Sequence, residues 1–246
     1  MNSETWVILG ASSSIGRAFA REAAAQGADI VLAGRDLEDI ERSAADLRIR
    51  FGGGVRVLAF DAAETGGHAV FAEACRPSQG RLNLFLCFGS MPPQGAMERD
   101  FTLARSAIQT NYLGAVSVLH AFAPLLEDRK GGRVVVLGSV AGDRGRPRNY
   151  VYGSAKAGLH AFLQGFRARM WRSGVTVTTI KPGFVDTAMT WGLPGLFLVA
   201  SPQACARACL SHARKGAGIR YVPWFWWGIM SIIRAIPERV FKRLDL

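Results

Sequence analysis

The turn that most constrains the fold lies near the N-terminus and carries a glycine at each end. Trp6 to Leu9 form an apolar stretch typical of a buried strand, Gly10-Ala-Ser-Ser-Ser-Ile-Gly16 follows directly, and a helix-period pattern then continues to Ala28. Gly10 permits a tight turn, and Gly16 allows a helix to approach the strand closely. The free amides at the start of that helix would suit a pyrophosphate, so this segment predicts the opening unit of a dinucleotide-binding α/β fold.

Strand and helix patterns alternate along the rest of the chain. Further strands are predicted at 30–33, 55–60, 82–88, 133–137, 175–180 and 219–222, with early helices at 37–51 and 66–75. The 246 residues contain no internal repeat or linker, and 49% of them are hydrophobic, which is enough for one large core. We therefore predict a single-domain, doubly wound (Rossmann-type) α/β fold, with about seven strands in a parallel sheet and helices on both faces. Residues 1–223 form the predicted catalytic domain, and residues 224–246 form an apolar, basic C-terminal extension of it.

Ligands of an open parallel sheet bind at the carboxyl ends of its strands, so the turns that follow the strands form the candidate cofactor site. These turns contain Gly10, Ser12, Ser13, Ser14, Ile15, Gly16, Arg35, Asp61, Ala62, Gly89, Pro182, Gly183, Val185 and Thr187. Asp61 is a candidate partner for the adenine amino group or a cap for the next helix.

The end of the second strand bears on the choice of cofactor. It reads Ala33-Gly34-Arg35, without the carboxylate that would pair with ribose hydroxyls and repel a 2′-phosphate. Arg35 can offer a phosphate a charge-assisted hydrogen bond, which favours NADP(H) over NAD(H). The alternative is that Arg35 only caps a loop beside Asp36.

Tyr152-Gly-Ser-Ala-Lys156 opens another helix-period segment. Residues four apart lie on one face of a helix, and an ammonium near a phenol lowers its pKa from the usual value of about 10. A phenol tuned in this way can exchange a proton with a substrate oxygen. The same spacing is also typical of a surface lysine above a half-buried ring, so the pair gains its meaning from context.

That context consists of five motifs: the turn Gly10 to Gly16, Asn111, Ser139, Tyr152 with Lys156, and Lys181-Pro182-Gly183. Together they resemble the short-chain dehydrogenase/reductase family, in the order and at the spacing of that family and across the whole chain. The resemblance implies an NAD(P)-dependent oxidoreductase that reduces a ketone to a secondary alcohol. It also implies that Tyr152 donates a proton to the carbonyl oxygen and that Lys156 lowers its pKa and binds the nicotinamide ribose. Ser139 would hold the substrate oxygen, and Asn111 would support a proton relay.

Two positions depart from the family pattern. Ser14 replaces the middle glycine of the first turn, and Cys87-Phe88-Gly89 stands in place of the usual Asn-Ala-Gly. We expect Ser14 to keep an amide available for the pyrophosphate. The loss of the asparagine is expected to remove one hydrogen-bonding helper of the sheet.

A basic loop precedes Tyr152. It contains the candidate substrate residues Arg144, Arg146, Arg148 and Asn149. Between two predicted catalytic residues, these arginines would suit a phosphate clamp, since guanidinium groups bind phosphate with a fork geometry. A solvated loop is the equal alternative.

The C-terminal end is nearly all apolar and aromatic from Trp224 to Ile236 and then basic through Arg243. The run is shorter than the roughly 20 residues of a membrane span, but it can lie in a membrane interface, where tryptophan and arginine are favoured. A second apolar run, Leu193 to Ala200, falls where the family carries its substrate-covering segment. An oligomer interface or a core-packing tail is the alternative.

The second half also resembles a narrower group. Ala141-Gly-Asp-Arg-Gly-Arg146, the stretch from Val151 to Leu159, and the ending from Ile236 are similar to decaprenylphosphoryl-2-keto-erythro-pentose reductases. That resemblance implies a keto sugar on a polyprenyl phosphate, used in building the cell envelope. The alternatives are a soluble carbonyl, steroid or acyl reductase with an oligomerising tail, and a catalytically silent cofactor-sensing protein.

Composition and residue spacing bear on which classes of partner the protein can bind. The net charge of +11 is spread along the chain without aromatic-basic nucleic-acid motifs, so we expect no nucleic-acid partner. Four cysteines are too few for a secreted disulfide scaffold, and Cys205, Cys209 and His212 on one short helix make a poor zinc site, so we expect no metal. With no signal-peptide pattern, a cytoplasmic homo-oligomer is expected, peripheral on the inner face of the cytoplasmic membrane, acting on a small-molecule or lipid-linked ketone.

Overall fold

The computed structural model describes residues 4–193 and 195–244, and seven strands within these ranges form one sheet. The strands are β1 Glu4–Leu9, β2 Asp29–Gly34, β3 Val55–Ala59, β4 Arg81–Leu86, β5 Gly132–Leu137, β6 Val175–Pro182 and β7 Ile219–Val222. Every neighbouring pair is parallel, in the order β3-β2-β1-β4-β5-β6-β7. The predicted doubly wound α/β fold is therefore confirmed.

Helices cover both faces of this sheet. They are α1 Ser14–Ala24, α2 Leu37–Phe51, α3 His68–Ala74, α4 Gln94–Arg99, α5 Phe101–Ile108, α6 Gly114–Asp128, α7 Tyr150–Trp171, α8 Pro202–Arg214, α9 Trp226–Ala235 and α10 Glu238–Phe241, with short 3-10 segments at Thr65–Gly67 and Val140–Gly142 and a π segment at Gln109–Leu113. On one face Phe19, Ile40 and Cys209 pack from α1, α2 and α8. On the other, Phe122 and Leu163 pack from α6 and α7. Both faces of the sheet are thus buried, as its apolar strands require.

The strand order places a crevice at the centre of the sheet. The connection from β1 leads outward to β2, whereas β4 lies on the other side of β1. The chain therefore departs in opposite directions from the carboxyl ends of β1 and β4, and ligands of such sheets bind at this switch point. Strand β4 ends at Leu86, two residues before the predicted end, which leaves Cys87 and Phe88 in the crevice.

The C-terminal segment, defined here as residues 224–244, is divided between core and surface. Trp226 and Met230 of α9 are buried against Val140, with Trp226 only 2% exposed, while Trp224 is 80% exposed. Residues 245–246 of the predicted extension lie outside the described residues. Within the described ranges, no helix has the length and apolar character needed to cross a membrane.

Candidate active site

The glycine turn after β1 is shaped by close backbone contacts. Gly10 has φ +93°, and a Cβ placed there would lie 2.7 Å from the backbone nitrogen of Phe88. Ser13 caps α1, its Oγ accepting a hydrogen bond from the amide of Gly16 at 3.0 Å. The other amides of the first turn, those of Ser14 and Ile15, have no intrahelical acceptor. Ser14 and Ile15 at this helix N-terminus line the crevice, and their placement fits the pyrophosphate of a dinucleotide.

Cys87 takes over the hydrogen bonding expected to be lost with the family's asparagine. Its thiol lies 3.2 Å from the carbonyl oxygen of Leu9 and 3.4 Å from that of Gly10, and accepts from Ser13 Oγ at 3.6 Å. Burial raises the pKa of the Cys87 thiol to about 12, so the thiol keeps the proton that it donates. The expectation of a missing helper is corrected, because sulfur bridges β4 and the glycine turn.

One cavity of about 590 Å³ lies over the crevice and contains most of the predicted site residues. The predicted residues that line it are Gly10, Ser12, Ser13, Ser14, Ile15, Arg35, Asp61, Ala62, Gly89, Ser139, Arg146, Asn149, Tyr152, Lys156, Pro182, Gly183, Val185 and Thr187. Gly16, Asn111, Arg144 and Arg148 are not among the lining residues. Predicted residues from position 10 to position 187 thus meet at one site.

Tyr152 and Lys156 lie on the buried face of α7, one helical turn apart. Lys156 Nζ donates a hydrogen bond to the carbonyl oxygen of Leu137 at 3.0 Å and lies 5.7 Å from the centre of the Tyr152 ring. Helix α7 is long and packed on both β6 and the 140–142 segment, so it holds the pair rigidly over the cavity.

Burial dominates the electrostatics of this pair. It raises the pKa of Tyr152 to about 12, opposed by the hydrogen bond with Ser139. This differs from the expected lowering of the Tyr152 pKa, because Lys156 is bound to a backbone carbonyl and a buried phenolate is costly. Burial also lowers the pKa of Lys156 to about 8, with Cys87 acting in the opposite sense. At neutral pH the phenol therefore carries its proton and the lysine carries its charge.

Ser139 follows β5 directly and caps the short 3-10 segment. Its Oγ accepts a hydrogen bond from the amide of Ala141 at 3.0 Å. A hydroxyl that accepts this bond keeps its own hydrogen for another acceptor. Ser139 is thus oriented with a donor beside the Tyr152 hydroxyl.

Asn111 lies beneath the cavity in the π segment between α5 and α6. Its Nδ2 donates to the carbonyl oxygens of Ser90 at 2.6 Å and Ala107 at 2.8 Å, and its Oδ1 accepts from the Ser90 amide at 3.2 Å. A Cβ on Gly89 would lie 2.8 Å from that Oδ1. Asn111 therefore positions the loop after β4, and its predicted part in a proton relay stays a prediction.

The end of β2 presents one exposed cation to the cavity. Arg35 lines the cavity, and within the described residues it has no hydrogen-bond or ion-pair partner. Neighbouring charges are engaged: the Asp36 carboxylate caps α2 through the Asp39 amide, and Arg17 forms an ion pair with Asp39. No contact in the described part of the chain supports the alternative that Arg35 caps the loop.

The basic loop separates into two parts. Arg144 turns away from the cavity to the C-terminal segment, where it pairs with Glu238 at 2.6 Å and lies 4.2 Å from the centre of the Phe241 ring. Arg146 and Asn149 face the cavity, and Arg146 Nε and Asn149 Oδ1 are buried without a hydrogen-bond partner among the described residues. Of the four predicted substrate residues, Arg146 and Asn149 therefore line the cavity, whereas Arg144 pairs with the C-terminal segment and Arg148 is not among the lining residues.

The family model described as short chain dehydrogenase matches residues 4–194. This match covers the glycine turn, Ser139 and the Tyr152–Lys156 pair. The chain belongs to the short-chain dehydrogenase family. Like other members, it is an oxidoreductase that uses a nicotinamide cofactor.

Three similar proteins span most of this short-chain dehydrogenase. An oxidoreductase of Mycobacterium tuberculosis, named as uncharacterized, is 34% identical over 97% of this chain and 96% of its own length. The sulfoacetaldehyde reductase of Chromohalobacter salexigens is 34% identical over 74% of this chain and 73% of its own. A short-chain dehydrogenase from Sphingobium yanoikuyae, solved in complex with NADPH, shares the fold with a TM-score of 0.81 at 24% identity, covering 96% of this chain and 97% of the other.

Several residues of this short-chain dehydrogenase site were not indicated by the sequence patterns. Trp226 packs its indole against Gly183, where any Cβ would overlap the ring, and so supports the loop after β6 from the C-terminal segment. His160 and Asp143 lie buried behind Ser139. The one available signal was helical spacing, because His160 follows Lys156 by four residues and shares its buried face.

Proposed function

We propose that the protein reduces a ketone to a secondary alcohol with NADPH, and that its substrate carries an anionic group and an apolar portion. The proposed reaction rests on one observation: Ser139, Tyr152 and Lys156 line the same cavity as the glycine turn. The bound nicotinamide supplies the hydride. The protein's own groups bind the carbonyl and move the proton.

In this mechanism Ser139 donates a hydrogen bond to the carbonyl oxygen and Tyr152 transfers its proton to that oxygen. A pKa of about 12 keeps the phenol protonated and ready to act as an acid. The Lys156 ammonium lies close enough to stabilise the phenolate that remains. Negative charge that develops on the substrate oxygen thus meets two donors oriented in advance.

The proposed preference for NADP(H) rests on Arg35. It is exposed at the adenosine end of the cavity and has no acidic partner within the described residues, so its guanidinium can bind a 2′-phosphate. We expect Arg35→Ala to weaken NADPH binding at least about tenfold while leaving NADH binding nearly unchanged. Arg42→Ala on the exposed side of α2 is the matched control, measured by quenching of tryptophan fluorescence. Equal losses for both cofactors would contradict the role of Arg35.

The proposed anionic group on the substrate rests on Arg146 and Asn149. A buried guanidinium nitrogen and a buried amide oxygen without partners are costly unless a ligand satisfies them. The name of the relative from Chromohalobacter salexigens indicates an anionic carbonyl substrate for that enzyme, which is consistent with this proposal. A keto sugar on a polyprenyl phosphate would supply a ketone, a phosphate and a long apolar chain together.

Peripheral membrane contact is proposed for the apolar surface around the cavity mouth. Trp191, Trp224 and Trp227 are 85%, 80% and 65% exposed, and the segments that carry them meet where Phe197 packs on Trp226. Tryptophan beside arginine and lysine is typical of a membrane interface. Such a surface on a cytoplasmic protein would bring a lipid-linked substrate to the cavity.

Vesicle sedimentation tests this contact. Replacing Trp191, Trp224 and Trp227 together by serine should release the protein from phosphatidylglycerol vesicles, because these side chains are exposed and their loss leaves the fold intact. A triple change of Ile49, Val70 and Trp171 to serine, on other exposed surfaces, is the control. If both variants bind vesicles as the wild type does, the competing proposal of a soluble reductase whose C-terminal segment forms a homo-oligomer is favoured. Analytical ultracentrifugation measures that assembly directly.

The reaction is tested by NADPH oxidation with three carbonyl compounds: sulfoacetaldehyde, a 2-ketopentose joined through phosphate to a polyprenol, and acetophenone. Tyr152→Phe should abolish turnover while NADPH affinity is retained, because only the transferable proton is removed. Tyr150→Phe, two residues away and bonded to Glu98 at 3.0 Å, is the matched control and should retain activity. Retained turnover in Tyr152→Phe would reject the mechanism, and cofactor binding without any turnover in the wild type would favour a silent cofactor sensor.

A further inference from the structure

The imidazole of His160 occupies a slot directly behind Ser139. The ring fits there because two neighbouring residues are glycines. A Cβ on Gly138 would overlap His160 Nε2, and a Cβ on Gly142 would lie 2.7 Å from His160 Cε1. The His160 side chain is 7% exposed. The ring thus fills the space that side chains at positions 138 and 142, on either side of Ser139, would otherwise occupy.

His160 contacts the serine through the backbone. The Ser139 amide donates a hydrogen bond to His160 Nε2 at 3.4 Å. Its neighbour Gly138 is bonded to the sheet through the Ile180 carbonyl at 2.7 Å, so Ser139 is the first residue of the loop without a strand partner. A buried amide needs an acceptor, and the imidazole provides it where β5 ends.

An accepting Nε2 requires that the ring hydrogen be on Nδ1. His160 Nδ1 lies 3.7 Å from Asp143 Oδ1, and that carboxylate is 3% exposed. Asp143 is held in turn by Lys181 Nζ at 2.5 Å and by the Tyr221 hydroxyl at 2.6 Å. Burial, together with the charge of Lys181, lowers the pKa of His160 to about 3, so the ring is neutral at every physiological pH.

We propose that His160 is a positioning residue, oriented by Asp143, that fixes the Ser139 backbone and so directs its hydroxyl at the substrate oxygen. His160 is not among the residues that line the cavity, so it would act on the substrate only through Ser139. The kinetic consequence rests on the proposed ketone reduction, whereas the hydrogen-bond geometry stands independently of it. Through Asp143, Lys181 of β6 and Tyr221 of β7 thereby influence the orientation of Ser139 after β5.

The geometry is tested first without turnover. The chain has four histidines, so nitrogen NMR of protein labelled at histidine resolves each ring, and His160→Leu assigns the signal. We expect His160 to have an unprotonated Nε2 and a protonated Nδ1, unchanged from pH 8 down to pH 5. In His160→Leu the Ser139 amide should exchange its hydrogen at least about tenfold faster, because it has lost its acceptor. An Nε2-protonated ring, or titration near the ordinary histidine pKa, would overturn the proposal.

Kinetics then distinguish positioning from simple support of the fold. With whichever of the three carbonyl compounds the wild type reduces fastest, His160→Leu should lower kcat about tenfold with the KM for NADPH unchanged. His160→Gln keeps an acceptor and should recover most of that loss. His120→Leu, at an exposed site on α6, is the control that should change nothing.

A double-mutant cycle completes the test. If His160 acts through the Ser139 hydroxyl, His160→Leu should lower kcat less than about twofold in the Ser139→Ala background. An equal tenfold loss in both backgrounds, or no rescue by glutamine, would assign His160 a structural role only. Absence of carbonyl turnover with the expected NMR signature would reject the proposed function and leave the hydrogen-bond arrangement standing.

Discussion

The glycine turn lines the active-site cavity, and the C-terminal segment supports the loop after β6 that also lines it, yet the two are held in place in different ways. The turn is held by backbone contacts, with the Cβ positions of Gly10 and Gly16 only 2.7 and 2.6 Å from main-chain atoms. The C-terminal segment is held by side chains, chiefly Trp226, whose ring centroid lies 5.5 Å from those of Phe184 and Phe197.

This difference predicts that the glycine turn tolerates fewer substitutions than the C-terminal segment. In the turn, main-chain atoms cannot move aside for an added side chain, so a short sequence motif is enough to specify the backbone at the cofactor end. Side-chain packing tolerates other residues if volume is preserved, and its partners are distant in sequence. The buried polar side chains also differ: Ser13 Oγ of the turn accepts a hydrogen bond from the Gly16 amide, whereas Trp226 Nε1 of the C-terminal segment finds no hydrogen-bond partner in the described ranges.

The largest expected loss of stability would come from the C-terminal segment. Trp226→Ala removes a fully buried ring and should lower the free energy of unfolding by about 3–5 kcal/mol. Trp227→Ala, which removes an identical but exposed side chain, should change it by less than about 0.5 kcal/mol. Urea unfolding measures both. Similar values for the two would mean that the segment is not part of the core.

At the cofactor end, Gly10→Ala should cost about 2–4 kcal/mol and abolish tight NADPH binding, because strain at positive φ adds to the clash with Phe88. Gly27→Ala is the matched control, since Gly27 has φ +81° but open space around its Cβ position. It should cost about 1–2 kcal/mol from backbone strain alone and leave NADPH affinity unchanged. Equal effects would show that the turn is limited by φ and not by contact.

Lys156 lines the same cavity as the glycine turn, and burial lowers its pKa from 10.5 to about 8. From pH 8 to 10.5 the unfolded chain holds this proton and the folded protein releases it, so stability rises with pH. Relative to Lys156→Met, the wild type should therefore gain up to about 3.5 kcal/mol across this window, at about 1.4 kcal/mol per pKa unit. Thermal unfolding of both proteins at several pH values checks the difference, which should be independent of pH if Lys156 titrates normally.

The smallest expected effect concerns the polar attachment of the C-terminal segment. Glu238 is well exposed in its ion pair with Arg144, so Glu238→Gln should cost about 0.5 kcal/mol or less. Arg144→Ala also removes the contact with Phe241 and should cost about 1 kcal/mol. Urea unfolding in low and high salt separates the two contributions. A loss from Glu238→Gln that matched Trp226→Ala would show that charge, and not aromatic packing, holds the segment.

Much of the site was predictable because its residues follow strands. In a parallel sheet every strand ends at the same edge, so the turn at Gly10, Arg35, Ser139 and Pro182 were expected to converge and do converge. Strand ends were also predicted within two residues, as at Leu86. The bridge formed by Cys87 was not predictable, since a thiol can replace an amide only where three carbonyl and hydroxyl oxygens happen to surround it.

The sequence by itself determined the doubly wound fold, the cofactor turn and the Tyr152–Lys156 pair, because each depends on local spacing and on a periodicity that adjacent residues carry. Only the tertiary structure decided that Arg144 attaches the C-terminal segment while Arg146 faces the cavity, and that Trp226 is core while Trp224 is surface. It also decided that His160 lies behind Ser139. These assignments depend on partners far away in sequence. Nearby residues of the same type, such as Arg144 and Arg146, therefore differ in role only through the contacts that the folded chain supplies.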